Sequence, residues 1–100
     1  MATPNEDFVS RVLAVVEDIP AGKAMSYGDV AAAIGSRAPR GVGQVMAYYG
    51  SDVPWWRVVR ADGSAAKGAS QLERLLREDV PIRGKRVVIA DARVPPEAIL

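Results

Sequence analysis

Gly35-Ser36-Arg37-Ala38 lies between two segments of helical periodicity, and this spacing narrows the fold more than any other feature of the chain. Upstream, Ser26 precedes Tyr27 with Asp29 three residues on, the pattern of a capping box. Val30 and the alanines then run to Ile34, and Gly35 is a natural stop. Downstream, Pro39 opens a segment reaching Tyr48 that carries Val42 and Val45. Two short helices joined by so tight a connection read as a helix-turn-helix. A longer amphipathic helix comes first: Phe8, Val9, Val12, Leu13, Val15, Val16 and Ile19 recur at helical spacing. Thr3-Pro4-Asn5-Glu6 has the form of its N-terminal cap, and Pro20-Ala21-Gly22 ends it.

The remaining pieces are short. Lys23-Ala24-Met25 reads as a brief extended segment and Gly50-Ser51-Asp52-Val53-Pro54 as a loop. Arg57-Val58-Val59-Arg60 alternates charged with apolar residues and predicts a strand, closed by the turn signal Asp62-Gly63. Ser70 or a neighbour caps a last helix carrying Leu72, Leu75 and Leu76. Residues 86–90 read as another short strand, and Val94-Pro95-Pro96 opens a tail without assignment. No repeat, low-complexity segment or linker interrupts residues 1–100, which form a single domain, mostly α with short β strands.

Composition removes several classes of function. Apolar residues make up 49% and charged residues 25% of the chain, a globular balance. With no cysteine there is no disulfide framework and no thiolate zinc site. With no cysteine and no histidine, neither a thiolate nucleophile nor an imidazole base can be supplied. The N-terminus lacks the basic start and apolar core of a signal peptide, and no apolar run reaches membrane-spanning length. The expectation is a cytoplasmic monomer with no membrane partner, cofactor or metal. Net charge is only +1, but it is unevenly spread. Residues 1–20 carry a net −3, whereas residues 36–68 carry Arg37, Arg40, Arg57, Arg60 and Lys67 against Asp52 and Asp62, a net +3. A basic face of this kind fits a polyanion.

Pro54-Trp55-Trp56-Arg57-Val58-Val59 coincides with that basic region and reads like a Pro-Cys-His-Arg-Val nucleophile motif with both reactive residues overwritten by tryptophan. Three further stretches fall in order around it: Pro20-Ala-Gly-Lys-Ala-Met-Ser-Tyr27-Gly-Asp-Val-Ala, Arg40-Gly-Val-Gly-Gln-Val-Met46, and Leu72-Glu-Arg-Leu-Leu-Arg-Glu-Asp79. Together, over roughly residues 8–79, they resemble the C-terminal DNA-binding domain of O6-alkylguanine-DNA alkyltransferases, a winged helix-turn-helix. Trp55 stands where that family has its alkyl-accepting cysteine, and Trp56 where it has the activating histidine. In this the chain resembles the alkyltransferase-like proteins, which recognise the lesion, transfer nothing and pass damage to nucleotide excision repair.

The resemblance implies a set of roles. Arg40 corresponds to the arginine finger that enters the duplex and replaces the flipped base. Tyr27 corresponds to the tyrosine that turns the 3′ phosphate, with Ser26 capping the same helix end and within reach of phosphate. Gly41 and Gly43 thin the third helix for close approach to the minor groove, where base edges carry little sequence information. Alternatively, the glycines thin it for packing against the first helix. Trp55, Tyr27, Val58 and Met25 would line the lesion pocket, with Arg60, Lys67 and Arg37 as phosphate or base contacts. Arg57 would tie the active-site turn to the scaffold, Trp56 would be structural, and Asp79 would cap a helix or form an ion pair. The implied partners are duplex DNA containing O6-alkylguanine and an excision-repair protein of the UvrA or UvrC type. Two other functions compete. One is a winged-helix transcription factor, although Gly41 and Gly43 suit a major-groove reader poorly. The other is a carboxylate-based hydrolase using Asp29, Asp52, Asp62 or Asp79, which show no paired-carboxylate spacing.

Overall fold

The structure, a computed structural model, describes residues 6–99. The cap read at Thr3-Pro4-Asn5 lies outside the described residues. Three helices form the first half: α1 (Glu6–Glu17), α2 (Tyr27–Ala33) and α3 (Pro39–Tyr49). Ser26 caps α2 as its sequence implies: Ser26 Oγ accepts from the Asp29 amide at 3.0 Å, and the Asp29 carboxylate faces the Ser26 amide in return. Gly35, at φ +71°, ends the helix. The amides of Gly35 and Ser36 donate back to the carbonyls of Ala32 and Ala31, so the turn into α3 satisfies two carbonyls at the end of α2.

Strand β1 (Met25–Ser26) pairs in parallel with β2 (Val58–Val59), Met25 opposite Val58 and Ser26 opposite Val59. This ribbon separates two apolar clusters. Alternation along a strand sends neighbouring side chains to opposite faces. Met25 and Val58 join the α1–α2–α3 core with Val12, Val16, Val30 and Val42. Ala24 and Val59 join a second core with Leu75, Val80, Val87 and Ala92. The strand expected over 57–60 is therefore shorter and buried on both faces, since Arg57 belongs to a 3-10 turn, Trp55–Arg57, that precedes it.

Helix α4 (Ala69–Arg77) follows Gly68, not a serine cap. Ser70 lies inside its first turn with its hydroxyl donating to the Lys67 carbonyl. Of its leucines, Leu75 is buried and Leu76 is largely exposed. Asp79 ends this helix at φ +61°, the left-handed position usually given to glycine, and the Asp79 and Val80 amides return to Leu76 and Leu75. The helix is not the last. β3 (Ile82–Arg83) and β4 (Arg86–Val87) form a hairpin, and the chain then turns helical again in α5 (Ile89–Ala92), where the sequence pattern continues as strand. The tail is fixed. Val94 donates to the Ala24 carbonyl, and Arg93 grips Asp29 through two bonds of 2.8 and 2.9 Å. Burial raises the Asp29 pKa, but Arg93 and the Ser26 bonds outweigh it and hold the carboxyl below its ordinary value. Gly63, at φ +86°, has a second constraint: a Cβ there would fall inside the Val87 carbonyl, because the hairpin lies directly on the Asp62-Gly63 turn. No helix among the described residues is long and apolar enough to cross a membrane.

Candidate nucleic-acid interface

Tyr27 opens α2 and Trp55 opens the 3-10 turn, and the two face a common pocket of about 330 Å³. That volume is at the lower end of the range for small-molecule sites. Met46, Lys67, Ser70 and Gln71 are among the residues that form its walls. Burial pushes the Tyr27 phenol up, against the opposing charge of Arg60, so at neutral pH the hydroxyl is a donor. A larger groove of about 910 Å³ runs between α1 and α3, but of the candidate residues only Gly41 lines it.

The pocket differs from the expected one in two members. Met25 and Val58 do not line it: they are fully buried cross-strand partners in the core behind it. Met46 and Gln71 take their places. Gln71, only 1% exposed, is satisfied on both ends: Oε1 accepts from the Lys67 amide, and Nε2 donates to the carbonyls of Trp56 and Val58 at 3.0 and 2.7 Å. It therefore clips the tryptophan turn to α4. A glutamine on a helix reads as solvated from sequence, so its role becomes visible only when the backbone carbonyls of a distant turn are brought to it.

The two indoles meet edge to face at 5.9 Å. The Arg74 guanidinium lies 5.5 Å from the Trp55 ring and 4.8 Å from the Trp56 ring, with Arg57 5.4 Å from Trp56. Such stacking favours one indole orientation. Arg74 had no place in the sequence reading, although its position three residues after Gln71 puts both on one flank of α4. Trp56 packs against the second core. Its buried Nε1 has no acceptor in hydrogen-bond geometry, although the indole is near enough to Glu78 to help lower that carboxyl.

Arg57 is absent from the basic face. Its guanidinium is held by Glu78 through two bonds of 2.9 and 2.6 Å and by the Ile19 carbonyl at 2.8 Å, which ties the tryptophan turn to α4 and to the end of the first core. The exposed cations within residues 36–68 are Arg37 in the turn before α3, Arg40 in its first turn, Arg60 beside Tyr27, and Lys67 at the pocket rim. Arg37 and Arg40 do not line the pocket.

The glycines of α3 divide. A Cβ on Gly41 would press on the Phe8 ring at 3.3 Å, so this glycine accommodates α1. A Cβ on Gly43 would meet nothing within 4 Å, so its cost in helix propensity has no explanation inside the molecule. Gly43→Ala is expected to raise stability by about 1 kcal/mol, read in chemical denaturation, through helix propensity alone. If the outer face of α3 lies against DNA, the same change weakens duplex binding. Gain of stability with unchanged binding would remove that face from the interface.

Three of the four acids named from the sequence already have a place in the fold. Asp29 is engaged with Arg93 and Asp62 with Ser64, and Asp79 forms the end of α4. Among the described residues no group of acids could hold a metal ion.

Residues 7–80 match the family described as 6-O-methylguanine DNA methyltransferase, DNA binding domain. The chain belongs to this family. Within it, a DNA base-flipping protein of Escherichia coli (strain K12) is 41% identical over 86 residues, 79% of this chain and 67% of that protein. Alkyltransferase-like protein 1 of Schizosaccharomyces pombe is 35% identical over 65 residues, 62% of this chain and 60% of that protein. The crystal structure of S. pombe Atl1 in complex with damaged DNA containing O6-carboxymethylguanine matches with a TM-score of 0.81 at 28% identity, covering 96% of this chain and 100% of that one. The helix-turn-helix, the ribbon of β1 and β2, and the short strands around them are thus an alkyltransferase-like fold.

Proposed function

We propose that this chain recognises O6-alkylguanine in duplex DNA by minor-groove binding and nucleotide flipping, transfers no alkyl group, and marks the lesion for nucleotide excision repair. The observation that carries the reading is the pocket between Tyr27 and Trp55 in a chain with no thiol and no imidazole. Alkyl transfer needs a nucleophile, and an indole wall offers only van der Waals contact. Trp55 takes the position of the family's alkyl acceptor, and its flat ring, backed by Arg74, walls the cavity for the modified base. Flipping costs a few kcal/mol of unstacking and unpairing, less for a damaged pair. Arg40, exposed on the first turn of α3, fills the vacated space. The Tyr27 hydroxyl turns the phosphate of the flipped nucleotide, and Lys67 and Arg60 meet base or phosphate at the rim. The open outer face of α3 at Gly43 and Ala47 suits close approach to the minor groove, and so favours this reading over a sequence-reading transcription factor. The chain acts as a monomer on DNA, and its repair partner is of the UvrA or UvrC type.

The test is fluorescence anisotropy with two short duplexes, one holding a single O6-methylguanine and one holding guanine, followed by mass spectrometry of the recovered DNA. The expected result is tighter binding to the lesion with the methyl group still on the DNA. Progressive loss of the methyl group would refute a pure sensor. Equal weak binding to both duplexes would leave a shared fold without lesion recognition. Strong preference for one undamaged sequence would establish the transcription factor.

A further inference from the structure

The β3–β4 hairpin is joined by Gly84 and Lys85 alone, with Arg83 directly opposite Arg86. Both linking residues have positive φ, +57° and +66°. Tight two-residue turns of this kind favour Asn, Asp and Gly at these positions, so lysine is a poor choice for the backbone. Like charges opposite one another also destabilise a strand pair, and Arg83 and Arg86 are both exposed. Three cations therefore crowd a four-residue tip, against backbone preference and against their own repulsion. The anion beside them is Asp62, 3.9 Å from Arg86, with the two side chains 53% and 62% exposed. The amide and hydroxyl of Ser64 both bond Asp62 Oδ1, at 2.9 and 2.6 Å, and Oδ2 faces Arg86, so one half-exposed carboxylate stands beside three cations. One carboxylate leaves this tip with a surplus of positive charge among the described residues, which suits an anion from outside the chain.

Its place in the fold says which anion. The hairpin rests on the Asp62-Gly63 turn: Val87 donates to the Gly63 carbonyl at 2.9 Å, and Ser64 pairs with Arg86. Ser64 also accepts from Arg60, whose charge acts on Tyr27. A cationic line thus runs from the candidate pocket through Arg60 to the hairpin tip. We propose that Arg83, Lys85 and Arg86 form a clamp on the phosphodiester backbone of the duplex, beyond the flipped nucleotide. The clamp supplies affinity that depends on salt and not on the lesion, whereas the pocket supplies lesion preference. The inference rests on the DNA-binding part of the function proposed above and extends it to a second contact surface.

Two variants test it without threatening the fold. Lys85→Gly removes a charge and suits the positive φ, and Arg83→Gln with Arg86→Gln removes the cross-strand repulsion. Both are expected to keep or raise the melting temperature. Binding of the undamaged and O6-methylguanine duplexes is measured over a salt series. Each lost phosphate contact should make the plot of log K against log salt shallower by about 0.9. A variant carrying all three changes therefore loses roughly 2 to 3 from the slope, and both duplexes weaken by the same factor. Wild-type slope and affinity in the combined variant would overturn the clamp. So would a changed lesion preference at unchanged slope, since the hairpin would then act through the pocket. If the wild type binds both duplexes equally and the variants still flatten the slope, lesion sensing fails and the clamp stands. If the wild type binds no duplex, both fall.

Discussion

Replacing Arg57 with alanine is expected to lower stability by about 3 kcal/mol, the cost of leaving one member of a largely buried ion pair without its partner. In a domain of this size that corresponds to a fall in melting temperature of more than about 10 °C. Three connections fail together: Arg57 holds both oxygens of Glu78 and the carbonyl of Ile19, and the pair is only 15% and 17% exposed. The pH dependence identifies the cause. The Arg57 bonds lead the effects that hold the Glu78 carboxyl below its ordinary value of 4.5. A depressed carboxylate pKa adds stability that is present above the unfolded value and is lost as pH falls through the folded one. The difference between wild type and Arg57→Ala should therefore be full at pH 7 and shrink below about pH 4.5. A difference that stays constant into acid would mean that packing against Trp56, and not the ion pair, carries the effect.

Arg40→Ala is expected to weaken binding to an O6-methylguanine duplex by roughly tenfold to a hundredfold, the range for losing one side chain stacked on bases. Arg40 is exposed and makes no hydrogen bond or ion pair within the described residues, so stability should not change. Arg40→Lys separates charge from shape. A lysine keeps the cation but not the planar guanidinium that the proposed finger role requires. It should therefore keep the salt dependence of undamaged binding while losing preference for the lesion. Fluorescence of 2-aminopurine placed at the target position reports flipping directly and should stay low with both variants. A strong flipping signal from Arg40→Ala would assign the wedge to another residue.

Much of the fold was legible because the features that announce it are local. Ser26 and Asp29 close a capping box within one turn, Gly35 releases α2, and the valines of α1 repeat at helical spacing. These interactions span three or four residues, so their pattern is written along the chain. Short strands were harder. Val58-Val59 is a strand only because Met25 lies beside it, and the helix α5 forms where the sequence continues as strand, because the chain there must turn back to pair with Ala24. The glycines of α3 show the same limit. Composition alone treats Gly41 and Gly43 alike, whereas Phe8 explains the first and nothing inside the molecule explains the second.

The sequence by itself determined that there is no thiol or imidazole to do chemistry and that a helix-turn-helix precedes the paired tryptophans. Only the tertiary structure decided what surrounds them. It placed Met46 and Gln71 in the pocket wall and moved Met25 and Val58 behind it. It took Arg57 out of the basic face to pair with Glu78, brought Arg74 onto both indoles, and fixed the tail through Arg93 and Asp29, 64 residues apart. The physical reason is range. Caps and periodicity act within a turn of helix, whereas burial, ion pairing and the membership of a pocket depend on which distant segments pack together.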